Sequence, residues 1–451
     1  MKKNKFLLGF AMMCTFLTAC GNNTPATDPE LTDESEGVVQ DTEESVATEV
    51  DYYQTPEMDF DMGGKTIKIV AWWDMEITGE DPDRLQAREN LEKLKEKHNF
   101  DVEYVEIDFG EYQERITASL LANEPVGDII RVGKKYTIPS FTQQDLLWPV
   151  DEYVKNPNAF NLQYTQEIFQ YDGKGYAFTD SKENIVQGLF YNRTLLDDLG
   201  LKSVQDYVDE GNWNWDTFQE VVTSANLDTN NDGNIDTWGL ANPSVMEFAL
   251  MSNDAALTDG NKQTLDNPAT IEAMEFTQDV FELARPTEGG DWTEPQQFFR
   301  QGNTLMTLGA GHDYNGIKTD MPEHDIGFIP FPQGPQVDGY RTYEADVQAI
   351  AIPKMVENPE QLVYIWEKIH DITSIYDYPG QSNLETMFSN EDDINNARLV
   401  MDNLNILDHF AYPNLQYWDM NAAVLEGTSV STVVETYSQP FQAAIDEVYK
   451  N

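Results

Sequence analysis

Nine residues, Asp228-Thr229-Asn230-Asn231-Asp232-Gly233-Asn234-Ile235-Asp236, carry the sharpest chemical pattern in this chain. Oxygen-bearing side chains stand at loop positions 1, 3, 5 and 9, and Gly stands at position 6. The pattern suits a hard cation. Ca²⁺ takes six to eight oxygens, and alternate residues of a tight loop can turn carboxylates and amides inward. Asn234 can add its backbone carbonyl. Asp228, Asn230, Asp232, Asn234 and Asp236 are therefore the candidate ligands of a structural Ca²⁺. Position 12, where such loops place a bidentate Glu, is Gly239, so no calcium-binding helix pair is implied. The competing reading is an Asx-rich turn without metal.

A second constellation is Trp72-Trp73-Asp74, directly after an apolar run at 66–71. A sugar ring offers an apolar C–H face and a rim of hydroxyls. An aromatic plate takes the face, and a carboxylate takes the hydroxyls. The competing role for at least one of the two Trp residues is core packing. Enzyme motifs are absent: five scattered His form no HExxH, and there is no GxSxG, GxxxxGK[ST] or GxGxxG after a strand. With 80 Asp and Glu, no pair of carboxylates stands out as a glycosidase pair.

The N-terminus reads as targeting. Lys2, Lys3 and Lys5 precede an apolar stretch at 6–16, and Leu17-Thr18-Ala19-Cys20-Gly21 follows. This resembles a bacterial lipobox, which implies a signal peptide over 1–19, cleavage before Cys20 and lipidation of Cys20. An ordinary secretory signal is the alternative. Residues 21–64 contain no Lys or Arg and many Asp, Glu, Thr, Ser and Pro. With Cys20 they read as an acidic, disordered tether over 20–64. Both cysteines, Cys14 and Cys20, lie in the first twenty residues, so the body has no disulfide and no thiolate site. The formal net charge of −52 argues against nucleic acid, anionic membrane surfaces and polyanionic substrates. No later segment is apolar enough to span a bilayer.

At 451 residues, two domains are expected. Strands are read at 66–71, 101–107 and 128–132. Helices are read from Pro82 to about His98, with Leu85, Leu91 and Leu94, and again with Tyr112, Ile116 and Leu120. This alternation predicts a parallel sheet, with ligands outside the carboxyl ends of its strands. Asn214 is a good N-cap for a helix whose inner stripe is Trp215, Phe218, Val222 and Ala225. Pro268 opens another, with Ile271, Met274 and Phe281 inward. Trp213, Trp215 and Trp238 are assigned to packing.

Several passages resemble the extracellular solute-binding proteins of ABC importers, the family-1, maltose-binding-protein-like group. They are DGKGYAFTD at 172–180, IVQGLFYNRTLLDDLGL at 185–201, FFRQGNTLMT at 298–307, HDIGFIPFPQGP at 324–335 and AIAIPKMVENP at 349–359. Their shared order runs from about Lys65 to the C-terminus. The resemblance implies an α/β, two-lobed periplasmic-binding-protein-like fold (type II) with an interdomain hinge. The N-terminal lobe would comprise 65–184 plus 331–373, and the C-terminal lobe 185–330 plus 374–451. Crossings would lie at 181–187, near Pro330 and at 372–376. Family position adds Tyr136, His312, Asp313, Tyr343, Glu344, Asp346 and Trp418 as ligand candidates, each with packing or solvated surface as its alternative. The LMTLGAG stretch before His312 lacks the Trp that many members place there. Some members also carry a Ca²⁺ loop without the final Glu.

The expected function is capture of an extracellular carbohydrate, an oligosaccharide by the Trp pair and chain size, with no catalysis. An ABC permease is the expected partner, and the expected state is a monomer anchored to the outer face of the bacterial cytoplasmic membrane. Alternatives are a lipid-anchored glycan hydrolase or lyase, and a surface adhesin or signalling partner. Neutral glycans are placed ahead of uronic ones, which stay as the alternative, since few cations (Arg131, Lys134, Arg341) lie near the expected cleft.

Overall fold

A computed structural model describes residues 55–179, 186–241, 244–287, 293–344, 347–372, 376, 380–401 and 403–449. The signal segment, Cys20, the tether up to residue 54, Asp346, and the greater part of the crossings at 181–187 and 372–376 lie outside the described residues.

The first sheet forms where β-branched residues run together between helices. Strand β1 (Lys65–Ala71) is followed by helix α1 (Pro82–His98), strand β2 (Phe100–Glu106), helix α2 (Phe109–Leu121) and strand β3 (Ile129–Gly133). Asp81 caps α1 by accepting from Arg84 N at 3.0 Å, Pro82 opens it, and Asn99 closes it in the left-handed region. Ala87, Leu91 and Leu94 face inward, whereas Leu85 is exposed. β1 pairs in parallel with both β2 and β3.

The second sheet draws on strand β4 (Gln187–Asn192), helix α3 (Trp215–Ala225), strand β5 (Trp238–Leu240), helix α4 (Met246–Ser252), helix α5 (Pro268–Leu283), strand β6 (Thr304–Ala310) and strand β7 (Ile326–Ile329). Its order is β7-β4-β6-β5, with only β6 and β5 parallel. Asn214 and Thr217 form a capping box at α3. The predicted inner stripe of α3 is buried, as is Trp213, whose Nε1 donates to the Pro330 carbonyl at 2.8 Å. On α5 Met274 is buried but Phe281 is exposed, so that part of the expected stripe does not hold.

Strand β8 (Thr342–Glu344), strand β9 (Gln348–Ala351), helix α6 (Pro359–His370), helix α7 (Glu391–Met401), strand β10 (Leu404–Ile406), helix α8 (Tyr417–Leu425) and helix α9 (Val430–Tyr449) complete the chain. β9 joins the first sheet antiparallel to β3, giving the order β9-β3-β1-β2. β8 pairs in parallel with β10.

Two expectations are corrected. Residues 55–64 are not tether. Phe60 stacks on His98 at 4.0 Å, and Met58, Phe60 and Met62 pack against the apolar cluster between α1 and α6. These apolar residues interrupt the acidic run and give it something to bury. The crossing expected near Pro330 lies after Glu344 instead. Phe331 is fully buried in the second lobe against Phe218, Phe248 and Phe276, while Val347 packs in the first. The first lobe thus regains the chain at β9.

Candidate functional site

The carboxyl end of β1 delivers Trp72 and Trp73 to an aromatic platform. Their rings meet edge to face at 4.8 Å, and Trp72 also packs edge-on against Phe109 at 5.8 Å and Tyr112 at 5.2 Å. The Arg131 guanidinium lies 4.8 Å from the Trp73 ring centre and 5.7 Å from that of Trp72. Beneath them the Tyr112 hydroxyl sits 3.0 Å from the Val70 carbonyl and 2.8 Å from that of Arg131, and ties β1 to β3. Trp72 is half-buried, so its packing role holds. Trp73 is 38% exposed and Phe109 73% exposed. Exposing that much aromatic surface beside a strand's carboxyl end is what a stacking ligand needs. Asp74 is exposed, and its Oδ1 accepts from Glu76 N at 2.9 Å. Phe109 went unrecognised in the sequence. Its signal was a large apolar residue directly after the N-cap Asp108, where α2 begins beside the carboxyl end of β2.

From Phe109, Gln113 and Thr117 continue down one face of α2. They and Tyr136 line a cleft of about 750 Å³, whose opposite wall includes Asn414 and Glu447. Asn414 Nδ2 donates to Glu447 at 2.7 Å. Tyr136 is therefore a cleft residue, but Trp72, Trp73 and Asp74 are not part of that lining.

The second lobe presents a different surface. Glu247 stands in the first turn of α4, after the parallel strand β5, and is half-buried. Tyr343 on β8 and Tyr417 at the start of α8 lie within electrostatic reach of it. Burial pushes the Glu247 carboxyl up, and burial pushes the Tyr343 and Tyr417 phenols up as well. Tyr417 is 2% exposed, and its hydroxyl adjoins Glu247 without a well-aligned hydrogen bond to it. Asn421, 5% exposed, donates to Ser244 Oγ at 3.3 Å, while its Oδ1 has no partner among the described residues. His409 lies tilted against the Tyr417 ring at 4.4 Å, with both ring nitrogens unpartnered among the described residues. Ser244, Glu247, His409 and Asn421 were missed in the sequence because each is an ordinary residue with no motif around it.

The other candidates separate. Tyr343 packs edge-on against Phe248 at 5.6 Å and is buried. Glu344 accepts from Gln187 Nε2 at 3.0 Å, beside the crossing into β4. Trp418 is 66% exposed at the start of α8, 4.9 Å from the Tyr417 ring. His312 is exposed, whereas Asp313 caps its own turn by accepting from Ala310 N at 3.1 Å and from Gln296 Nε2 at 3.2 Å. Arg341 pairs with Asp254 at 2.7 Å.

The 228–236 loop closes on itself. Asp228 accepts from Asp232 N and Gly233 N, at 3.1 and 2.8 Å. Asn230 Oδ1 accepts from Asp232 N, and Asp232 Oδ1 from Asn234 N, both at 2.8 Å. Asp236 accepts from Thr229 N at 2.8 Å and Asn230 N at 3.1 Å, which lowers its carboxyl together with the Thr229 hydroxyl bond. Among the described residues no group of three or more His, Cys, Asp or Glu converges as a metal cage. The missing Glu has a steric cause. A Cβ on Gly239 would stand 2.2 Å from the Val222 carbonyl oxygen, because β5 packs directly on the α3 backbone. The donors thus fit Ca²⁺ in type and order, without the bidentate closure.

Among the described residues no helix is long and apolar enough to cross a membrane. No curated protein sequence matches the chain. Solved structures do. UspC of Mycobacterium tuberculosis is 15% identical, with a TM-score of 0.62 over 84% of this chain and 100% of that one. The GacH receptor of Streptomyces glaucescens, solved unliganded and with acarbose, is 17% identical, with a TM-score of 0.57 over 86% and 99%. The maltose-binding protein MalE of Listeria monocytogenes, solved with maltose, is 15% identical, with a TM-score of 0.57 over 86% and 98%. These likenesses establish the two-lobed α/β fold. The family model for bacterial extracellular solute-binding proteins matches residues 81–369 and so spans more than half of the sequence, and the chain belongs to that family.

Proposed function

We propose that this protein captures an extracellular carbohydrate, an oligosaccharide, and presents it to the permease of an ABC importer without chemistry on the sugar. The observation that carries the reading is the exposed Trp73–Phe109 platform at the carboxyl end of β1, in a chain of this family. Support also comes from the acarbose and maltose held by two neighbours of the same fold. A ligand touching both lobes favours closure by its differential affinity for the closed form. Closure excludes water, so stacking and hydroxyl hydrogen bonds gain weight together.

The reading includes lipidation at Cys20 and monomeric tethering outside the cytoplasmic membrane, supported by the Leu17-Thr18-Ala19-Cys20-Gly21 sequence. It also includes a structural Ca²⁺ on the 228–236 loop. The turn geometry of Asp228, Asn230 and Asp232 supports this reading, and without a position-12 carboxylate the expected affinity is in the weak extracellular range, about 10⁻⁴–10⁻³ M. Millimolar Ca²⁺ should raise the melting temperature over that in EDTA. Asp228→Ala should abolish the difference, and an equal shift in that variant would remove the ion from this loop.

The test of the main reading is thermal unfolding of the chain from Thr55 onward against neutral and acidic oligosaccharides. A ligand at a hundred times its Kd adds about 2.7 kcal/mol. A selective shift with the sugar recovered intact is expected. A shift with the sugar cleaved would make the protein a hydrolase or lyase. No shift across the panel would overturn the oligosaccharide reading for the sugars tested.

A further inference from the structure

A buried polar group without a partner in a native fold needs an explanation. Two such side chains meet at one place. Tyr417, His409 and Asn421 are each at least nine-tenths buried; both His409 nitrogens and Asn421 Oδ1 have no hydrogen-bond partner among the described residues, while the Tyr417 hydroxyl faces Glu247. Three elements bring them together: α4 supplies Glu247, β8 supplies Tyr343, and the 409–421 segment supplies the rest. The place is also significant. Glu247 follows the carboxyl end of β5, which runs parallel to β6. Tyr343 and Glu344 are the last described residues before the chain re-enters the first lobe, and Gln187 N donates to Thr342 Oγ1 at 2.9 Å at the other crossing. The cluster therefore sits at the hinge side of the second lobe, where α/β sheets hold ligands.

We infer that Glu247, Tyr417, Asn421 and Ser244 form the second lobe's subsite for the captured sugar, and that this subsite selects neutral, hydroxyl-bearing rings over acidic ones. The inference rests on the carbohydrate reading above. Glu247 retains partial access to solvent, so a hydroxyl can reach it, whereas Tyr417 and Asn421 close the back. A sugar hydroxyl donates to a carboxylate, so one ring edge can reach Glu247 where it meets solvent, with Tyr417 and Asn421 fixing that carboxylate from behind. The charges felt at the Tyr343 hydroxyl are those of Glu247 and Glu344, both carboxylates. Among the described residues no Lys or Arg adjoins Glu247, and the Tyr417 hydroxyl does. A uronate carboxylate brought here would be desolvated beside Glu247 and Glu344 with no cation among the described residues to pair it, which disfavours it against a neutral hydroxyl. The net charge of −52 opposes its approach from afar as well. His409 is a positioning residue behind the Tyr417 ring.

The experiment is calorimetric titration of maltotriose, cellotriose, mannotriose and trigalacturonate into the chain from Thr55 onward, and into Glu247→Gln, Tyr417→Phe and Ser244→Ala. Melting temperatures check that each variant is folded. The expected result is binding of a neutral trisaccharide with at least a tenfold preference over trigalacturonate. Tyr417→Phe and Ser244→Ala should each weaken the neutral sugar about tenfold. Glu247→Gln should shrink the neutral-to-acidic ratio by a similar factor. Unchanged affinity and ratio in all folded variants would overturn the subsite while leaving the carbohydrate reading in place. Preference of the wild type for trigalacturonate would overturn the selectivity alone. No binding of any of the four would remove the carbohydrate reading for these sugars, and the subsite with it.

Discussion

Burial of His409 beside Tyr417 and Phe410 costs the protein stability in acid. Desolvation lowers its pKa to about 3, against about 6.5 in the unfolded chain. Between those values the unfolded state binds a proton that the native state refuses. The contribution is fully present above about pH 6.5 and is lost as pH falls toward 3, at up to about 1.4 kcal/mol per pH unit. His409→Phe keeps an aromatic ring against Phe410 and Tyr417 and removes the titration. The variant should therefore lose less melting temperature than the wild type between pH 7.5 and pH 5. An identical loss in both would mean that the ring is protonated in the native state. This residue also shows what a sequence hides. Trp72, Trp73 and Asp74 stand out in the sequence because they follow an apolar run, and their pattern is local. His409, Glu247 and Asn421 come together only when segments some 160 residues apart meet, and no local pattern marks that event.

Elements were legible where period and cap agreed. Strand β1, helix α1 and the capped helix α3 fall where apolar runs, Pro82 and Asn214 place them. The element that sequence missed is the strap over 55–64, because three apolar residues in an acidic run look like part of the tether. Its contacts argue for a specific seat. Thr55 donates to the buried Glu367, Glu57 pairs with Lys97 and accepts from Tyr364 at 3.0 Å, and His98 Nδ1 lies 3.0 Å from the Phe60 carbonyl. Phe60→Ala should cost about 1–2 kcal/mol, less than a full core truncation because the ring is half-buried. A chain starting at Lys65 should melt below one starting at Thr55, and equal melting temperatures would return the strap to the tether. Helix α7 offers a second test. Its buried Asp393 pairs with Arg193 at 2.5 Å and accepts from Phe328 N at 2.8 Å, which locks α7 onto the edge strand β7. Asp393→Ala leaves Arg193 with the more exposed Asp325 at 3.1 Å and strips a buried amide of its partner. Denaturant unfolding should show a loss of about 3 kcal/mol, and a loss under 1 kcal/mol would mean that Asp325 carries the pair alone.

At the scale of the molecule, the corrected crossing changes how closure must work. The family resemblance of the HDIGFIPFPQGP passage placed the return to the first lobe near Pro330. The structure commits Phe331 to the second lobe's core and holds the chain there through β8. Tyr343, Glu344 and Gln187 then lie next to the points where the lobes join, so a ligand held there acts close to the hinge axis. The Trp73 platform belongs to the other lobe. A sugar spanning the two can bind fully only when the lobes approach, and its apparent affinity is scaled by the fraction of closed-competent protein. Trp73→Ala removes an exposed plate and disturbs little of the core. It should weaken a bound neutral oligosaccharide at least about tenfold, as loss of an aromatic anchor does. Small-angle scattering separates two ways in which that loss can arise. If Trp73 acts as the first lobe's grip, saturating sugar will reduce the radius of gyration of the wild type, and saturated Trp73→Ala will show a smaller reduction. If the variant binds tenfold more weakly yet closes to the same extent at saturation, Trp73 contributes affinity common to both states, and the driving contacts for closure lie elsewhere on the first lobe.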